Sequence, residues 1–132
     1  AKAPVFAVEP HEPFTGILGG HFGPNDRAAF YRTMLRTGCY NNVRLINLSS
    51  EVVAQGWKTP IGLLWIDGDH SYEGAKRDLQ VWEPHLAPTA LVAFHDSRDP
   101  DLGPAQVIAE ALASGRYTHH DQVGLTTVLC RR

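Results

Sequence analysis

The sequence has 132 residues, 43% hydrophobic and 20% charged, which suits one compact domain (residues 1–132) and excludes an intrinsically disordered chain. Twelve basic residues stand against fourteen acidic ones, and a net charge of −2 lacks the basic excess of nucleic-acid or anionic-membrane binders. No apolar stretch approaches the ~20 residues of a membrane helix. Cys39 and Cys130 supply neither a disulfide framework nor zinc spacing, so a reducing cytoplasm is the expected setting.

The elements alternate along the chain. Val5-Phe6-Ala7-Val8, closed by Glu9-Pro10, reads as a buried strand. Residues 10–24 hold three of the nine prolines and four of the twelve glycines and read as a long loop. Asn25 or Asp26 is the expected cap of a helix to about Thr37, with Ala29, Phe30, Met34 and Leu35 inward and Gly38 as its stop. Val43–Ile46 is a second strand, and Ser49 or Ser50 caps a short helix ending at Gly56. Ile61–Ile66 is apolar at nearly every position, as the centre of a parallel sheet demands.

A helix from Ser71 or Tyr72 to about His85 follows, with Ala75, Leu79, Trp82 and Leu86 at core spacing. Ala90–Phe94 is a fourth strand, 97–103 a loop and 104–114 an alanine-rich helix. Tyr117–Gln122 and Leu125–Cys130 form a closing antiparallel pair through Gly124. Apolar strands separated by helices imply an α/β fold: a Rossmann-like, doubly wound, mostly parallel sheet with a C-terminal antiparallel hairpin.

Ligands of open α/β sheets bind beyond the carboxyl ends of the strands. The residues at those ends are Glu9; Asn47 and Ser49; Asp67-Gly68-Asp69-His70; and His95-Asp96-Ser97. Neighbouring strand ends lie about 5 Å apart, so Asp67 and Asp96 are placed to share a cation, which would also relieve their mutual repulsion. Oxygen ligands favour Mg²⁺, Mn²⁺ or Ca²⁺, and a histidine shifts the choice toward Mn²⁺, Fe or Zn²⁺. The competing structural account is that Asp67 and Asp69 only cap the next helix.

Glu9 is placed either to accept from a ribose diol or to act as a plain loop carboxylate. The glycine-dense loop at Gly16, Gly19, Gly20 and Gly23 matches no phosphate-binding motif. His119 and His120 are adjacent in a strand, so they point to opposite faces and read as a solvated edge. No G-x-S-x-G elbow is present.

The run Leu64-Trp65-Ile66-Asp67-Gly68-Asp69-His70-Ser71-Tyr72-Glu73, then Asp78 and Trp82, then Leu91-Val92-Ala93-Phe94-His95-Asp96-Ser97, resembles a known family. It is similar to the class I S-adenosylmethionine (SAM)-dependent methyltransferases of the family 24 branch, near the metal-dependent sugar and catechol O-methyltransferases. The resemblance implies SAM as cofactor, with Glu9 on its ribose and Ser49, Glu51 and Asp67 among its contacts. It also implies a site for Mg²⁺ or another divalent metal at Asp67, His95 and Asp96, and His70 as general base.

Here Asn47 and Leu48 stand where the family has Gly-Asp, and His95 where its metal-dependent members often carry a carboxylate. The family's first strand and glycine-rich loop have no counterpart ahead of Val5. The resemblance puts that strand between those ending at Glu9 and Asp67. A fragment, direct pairing of the flanking strands, or a second chain filling the gap would each account for this, and the last would make a homo-oligomer. The function expected is O-methyl transfer to a small-molecule hydroxyl; the alternatives are a catalytically inactive binding or assembly module and a metal-dependent hydrolase using the same aspartates.

Overall fold

In this computed structural model residues 3–132 are described, and the chain divides after Gly56 into two compact units. Among the described residues no helix is long and apolar enough to cross a membrane.

In the first unit the branched, apolar runs form strands β1 (Val5–Val8) and β4 (Val43–Ile46), paired in parallel from Val5 opposite Val43 to Val8 opposite Ile46. A parallel pair requires a long crossover, and this one contains helix α1 (Pro24–Thr37). The helix starts slightly earlier than its capping residues suggest. Pro24 takes the first helical position, where its missing N–H costs nothing, and the Asp26 carboxylate reaches back to accept the Gly23 N–H at 2.7 Å. Gly38 ends it in a left-handed conformation (φ +72°), donating to the Met34 carbonyl.

Three expectations for this unit need correction. Strand β1, read as buried, leaves Val5 and Phe6 exposed, Val5 to 55%. The long loop contains a small hairpin, β2 (Phe14–Thr15) with β3 (His21–Phe22), whose phenylalanine rings stack. On α1 only Met34 of the four inward candidates is buried; Ala29 and Leu35 are exposed, Leu35 to 69%. Helix α2 (Ser50–Gly56) follows β4, its first turn closed by the Val53 N–H on the Ser49 carbonyl.

The second unit is a four-stranded sheet, order β5-β6-β8-β7, with helices α3 (Tyr72–Trp82) and α4 (Gly103–Ala113). Strands β5 (Ile61–Ile66) and β6 (Leu86–Phe94) run parallel, while β8 (Thr126–Arg131) pairs antiparallel with both β6 and β7 (Tyr117–Val123). Strand β6 begins four residues before its expected start, where Thr89 (φ +60°) bends it and its register against β5 shifts. Ala75, Leu79, Trp82 and Leu86 are all buried, as their spacing requires. They join Ile66, Val92, Phe94, Val107 and Leu129 in the core.

Strand β5 departs from its reading as a central strand buried on both faces. It forms an edge of this sheet, and Leu63 and Trp65 are 59% and 54% exposed while Ile66 is buried. An unbroken apolar run cannot say which alternate residues the sheet will cover.

These burial differences are measurable. Leu129→Ala, which empties a fully buried position, should cost about 2–5 kcal/mol. Leu35→Ala should stay within about 0.5 kcal/mol. Urea unfolding of the two variants checks both values, and a large loss in Leu35→Ala would restore the inward reading of that residue.

Candidate active site

The site begins where the β5–β6 ladder ends. Ile66 lies opposite Phe94, and the His95 N–H donates to the Ile66 carbonyl at 3.0 Å. Pairing thus continues one residue past the strands, and Asp67 and His95 leave the sheet side by side. His95 Nδ1 lies 3.1 Å from Asp67 Oδ1 and 3.5 Å from Asp96 Oδ1. His70 comes from the loop before α3; its Nε2 is 3.2 Å from Asp96 Oδ2 and 3.7 Å from Asp67 Oδ1. Asp67, His70 and His95 therefore face a common point, and Asp96 lies beside it, one carboxylate oxygen toward each histidine.

Their geometry is not that of a hydrogen-bonded cluster. His70 Nε2 and His95 Nδ1 are both buried, yet neither makes a hydrogen bond. Buried polar atoms without partners are costly. Ligands of one cation, by contrast, avoid each other's lone pairs and sit about 3 Å apart in an octahedron or about 3.4 Å in a tetrahedron, from metal–ligand distances of about 2.1 Å. The observed separations fall around those values. Asp67, His70 and His95 each offer an atom within 4.8 Å of the others, so the donor set fits a divalent metal.

Asp96 is held in a left-handed conformation (φ +46°), which costs a non-glycine residue roughly 1–3 kcal/mol and persists only where the surroundings impose it. Trp65, two residues before Asp67, stacks on the His95 ring with centroids 6.1 Å apart. Asp69 does not join the group. Both its oxygens are taken by Ser71, through the backbone N–H at 2.9 Å and the hydroxyl at 2.8 Å, and Ser71 in turn caps α3 by accepting the Gly74 N–H. Asp69 thus braces the residue that caps α3 without capping it, while Asp67 faces the histidines.

Sequence reasoning missed Gly103. Its N–H donates to the His70 carbonyl at 2.9 Å, and a Cβ there would stand 2.2 Å from the Ser71 carbonyl carbon. Only glycine lets α4 approach the His70 loop so closely. The Gly103-Pro104 pair at a helix start was the available signal.

In the first unit, Glu9 at the end of β1 is exposed, and one carboxylate oxygen accepts the His11 N–H at 3.0 Å. Asn47, which stands in for the usual glycine, donates its amide to the Glu9 carbonyl (3.0 Å) and to His11 Nδ1 (2.9 Å), fastening the ends of β1 and β4. His11 is buried and was also missed. Ser49 and Glu51 lie half-buried at the start of α2. His119 and His120 are exposed on β7, as expected.

The fold is that of Rossmann-like methyltransferases. It is similar to the SAH-bound Podospora anserina methyltransferase PaMTH1 (TM-score 0.70, 13% identity, 98% of this chain and 61% of that one). A methyltransferase from Geobacter sulfurreducens gives a TM-score of 0.67 at 15% identity, over 98% of this chain and 58% of that one. The chain belongs to the family described as a methyltransferase domain, which it matches over residues 2–97. It is also 40% identical over 55 residues to the uncharacterized protein y4gI of Sinorhizobium fredii, a stretch covering 40% of this chain and 6% of that protein. The chain thus spans a small part of that relative and about three-fifths of these two solved structures.

Adding one methyl group at Gly103 tests how the His70 loop is held. Gly103→Ala should cost about 1–3 kcal/mol through overpacking against the Ser71 backbone, read as a lowered urea midpoint. An unchanged midpoint would show that α4 and the loop are not in that close contact.

Proposed function

We propose that this chain acts as a SAM-dependent methyltransferase that transfers a methyl group to a hydroxyl of a small molecule, with a divalent metal held at the ends of β5 and β6. Family membership supports the methyl-transfer class. The observation that supports the metal-assisted reading is the convergence of Asp67, His70 and His95 with two buried, unsatisfied imidazole nitrogens; Asp96, which touches both histidines, is proposed as ligand in place of His70. Glu9, Ser49 and Glu51 are proposed for the ribose and adenine of the cofactor. Glu9 is exposed at a strand end, and Ser49 and Glu51 sit at a helix start.

In the reaction the acceptor oxygen forms a bond to the methyl carbon as the carbon–sulfur bond breaks, the sulfonium leaves as a neutral thioether, and the hydroxyl proton goes to a base. Most of the catalytic work is positioning. Asp67, His95 and Asp96 would hold the metal, which when bound supplies a Lewis acid that lowers the pKa of the acceptor hydroxyl. Two or more oxygens with imidazole nitrogen form a donor set that favours Mn²⁺, Zn²⁺ or Fe²⁺ over Mg²⁺ and Ca²⁺.

His70 is proposed to take the proton through Nε2, the nitrogen farther from Asp67. A nitrogen bonded to a cation has no lone pair for a proton, so ligand and base are exclusive roles for His70. Imidazole suits the second role because it exchanges protons near neutral pH.

Calorimetric titration of the full chain with MnCl₂ and with S-adenosylhomocysteine, and transfer of labelled methyl from SAM to a panel of diols and phenols, test this reading. Asp67→Asn should lose at least about tenfold in Mn²⁺ affinity and most of the turnover. His70→Gln should keep Mn²⁺ affinity and lose about 10²–10⁴ in kcat; lost affinity instead would make His70 a ligand. Methyl transfer indifferent to chelator and to Asp67→Asn would remove the metal. No heat with S-adenosylhomocysteine would remove the cofactor and favour an inactive module.

A further inference from the structure

Asp96 must carry its carboxylate between His70 and His95 from a backbone conformation that aspartate seldom adopts. Its neighbour is tied to a different element. Ser97 is buried, and its backbone N–H donates to the Leu125 carbonyl at 3.0 Å, tying the turn after β6 to the β7–β8 connection.

Its side chain makes a second tie: the hydroxyl has two acceptors in reach, the Leu125 carbonyl at 3.1 Å and Thr127 Oγ1 at 2.7 Å. The Thr127 N–H donates to Ser97 Oγ at 2.9 Å. Thr127 Oγ1 gives its own hydrogen to Gln122 Oε1 at 2.7 Å, and so accepts from Ser97 Oγ–H, also at 2.7 Å. Gln122 completes the chain by donating Nε2–H to the Thr126 carbonyl at 2.9 Å. Ser97 and Thr127 are buried, so their hydroxyls are held by partners on the β7–β8 hairpin rather than by water. The family match ends at residue 97, so Thr127 and Gln122, on the terminal hairpin, lie outside it.

We propose that Ser97 is a positioning residue for the metal site: through Thr127 and Gln122 it uses the β7–β8 hairpin to hold Asp96 in the conformation that aims its carboxylate at His70 and His95. Ser97 does not itself touch the common point. This rests on the metal-assisted reading above, and the two can fail separately.

The test is Mn²⁺ titration calorimetry on the full chain, with near-UV circular dichroism establishing that each variant is folded. Ser97→Ala should bind Mn²⁺ about tenfold more weakly, the loss typical when an outer hydrogen-bond partner of a ligand is removed. Thr127→Val, which keeps the shape but breaks the chain, should also weaken binding severalfold, and Thr127→Ser, which keeps the hydroxyl, should bind like wild type. A purely structural role would not separate valine from serine in affinity among equally folded proteins.

Wild-type affinity in folded Ser97→Ala, alongside a loss in Asp67→Asn, would overturn the positioning role and leave the metal reading standing. If Ser97→Ala does not fold, equal affinities for Thr127→Val and Thr127→Ser would overturn it. A wild-type chain that binds no Mn²⁺ would remove the metal reading and this proposal with it.

Discussion

The structure depends on the register between β5 and β6. Phe94, fully buried, lies opposite Ile66, also buried, and the His95 N–H extends the pairing to the Ile66 carbonyl. A slip of one residue would turn every side chain to the opposite face of the sheet. It would turn Phe94 and Val92 out of the core they fill, each worth about 1.5–3 kcal/mol when buried, and would separate Asp67 from His95. The hydrophobic core therefore specifies the polar site, since the same register serves both.

The cluster itself works against folding. Two carboxylates are brought to the same pair of imidazoles, two buried nitrogens go without hydrogen bonds, and Asp96 occupies a left-handed backbone. Each of these carries a cost, and no single one is compensated within the cluster. The fold compensates instead, through the buried core of the same unit, in which Val92, Phe94, Val107 and Leu129 are almost fully covered. Local rules broken in one place and supported everywhere around it are what a functional site looks like in an otherwise consistent fold.

Periodicity made much of this readable in the sequence. Ala75, Leu79 and Trp82 could be assigned to the core because α3 lies on the sheet and one stripe decides its burial; Leu86, also buried, opens β6 instead of ending the helix. The same reasoning over-reached at α1, where Leu35 follows the spacing but faces solvent: a pattern marks a stripe without fixing its width. The β2–β3 hairpin was invisible because two-residue strands contain no period. At the site, Asp67, His95 and Asp96 could be read from strand ends, because the sheet rule locates such residues without further information. Asp67 and Asp69 could not be told apart by spacing. What separates them is a turn in which Ser71 claims both Asp69 oxygens.

The remaining site residues reach their places by different physical means. Asp67 and His95 are set by the backbone ladder, which tolerates side-chain change. His70 depends on a loop, and the loop depends on a contact with Gly103 that no larger residue permits. Asp96 depends on a turn anchored to β8, the strand that also pairs with β6 along Leu91–Phe94. Coordination demands placement to about half an ångström, a tolerance that an unsupported loop does not meet. The elements that follow the last of the four side chains, α4 and the β7–β8 hairpin, therefore contribute to the site without placing a single group in it. Their packing against the turns that carry His70 and Asp96 makes metal affinity, under the proposed reading, a property of the whole second unit rather than of the residues that would touch the ion.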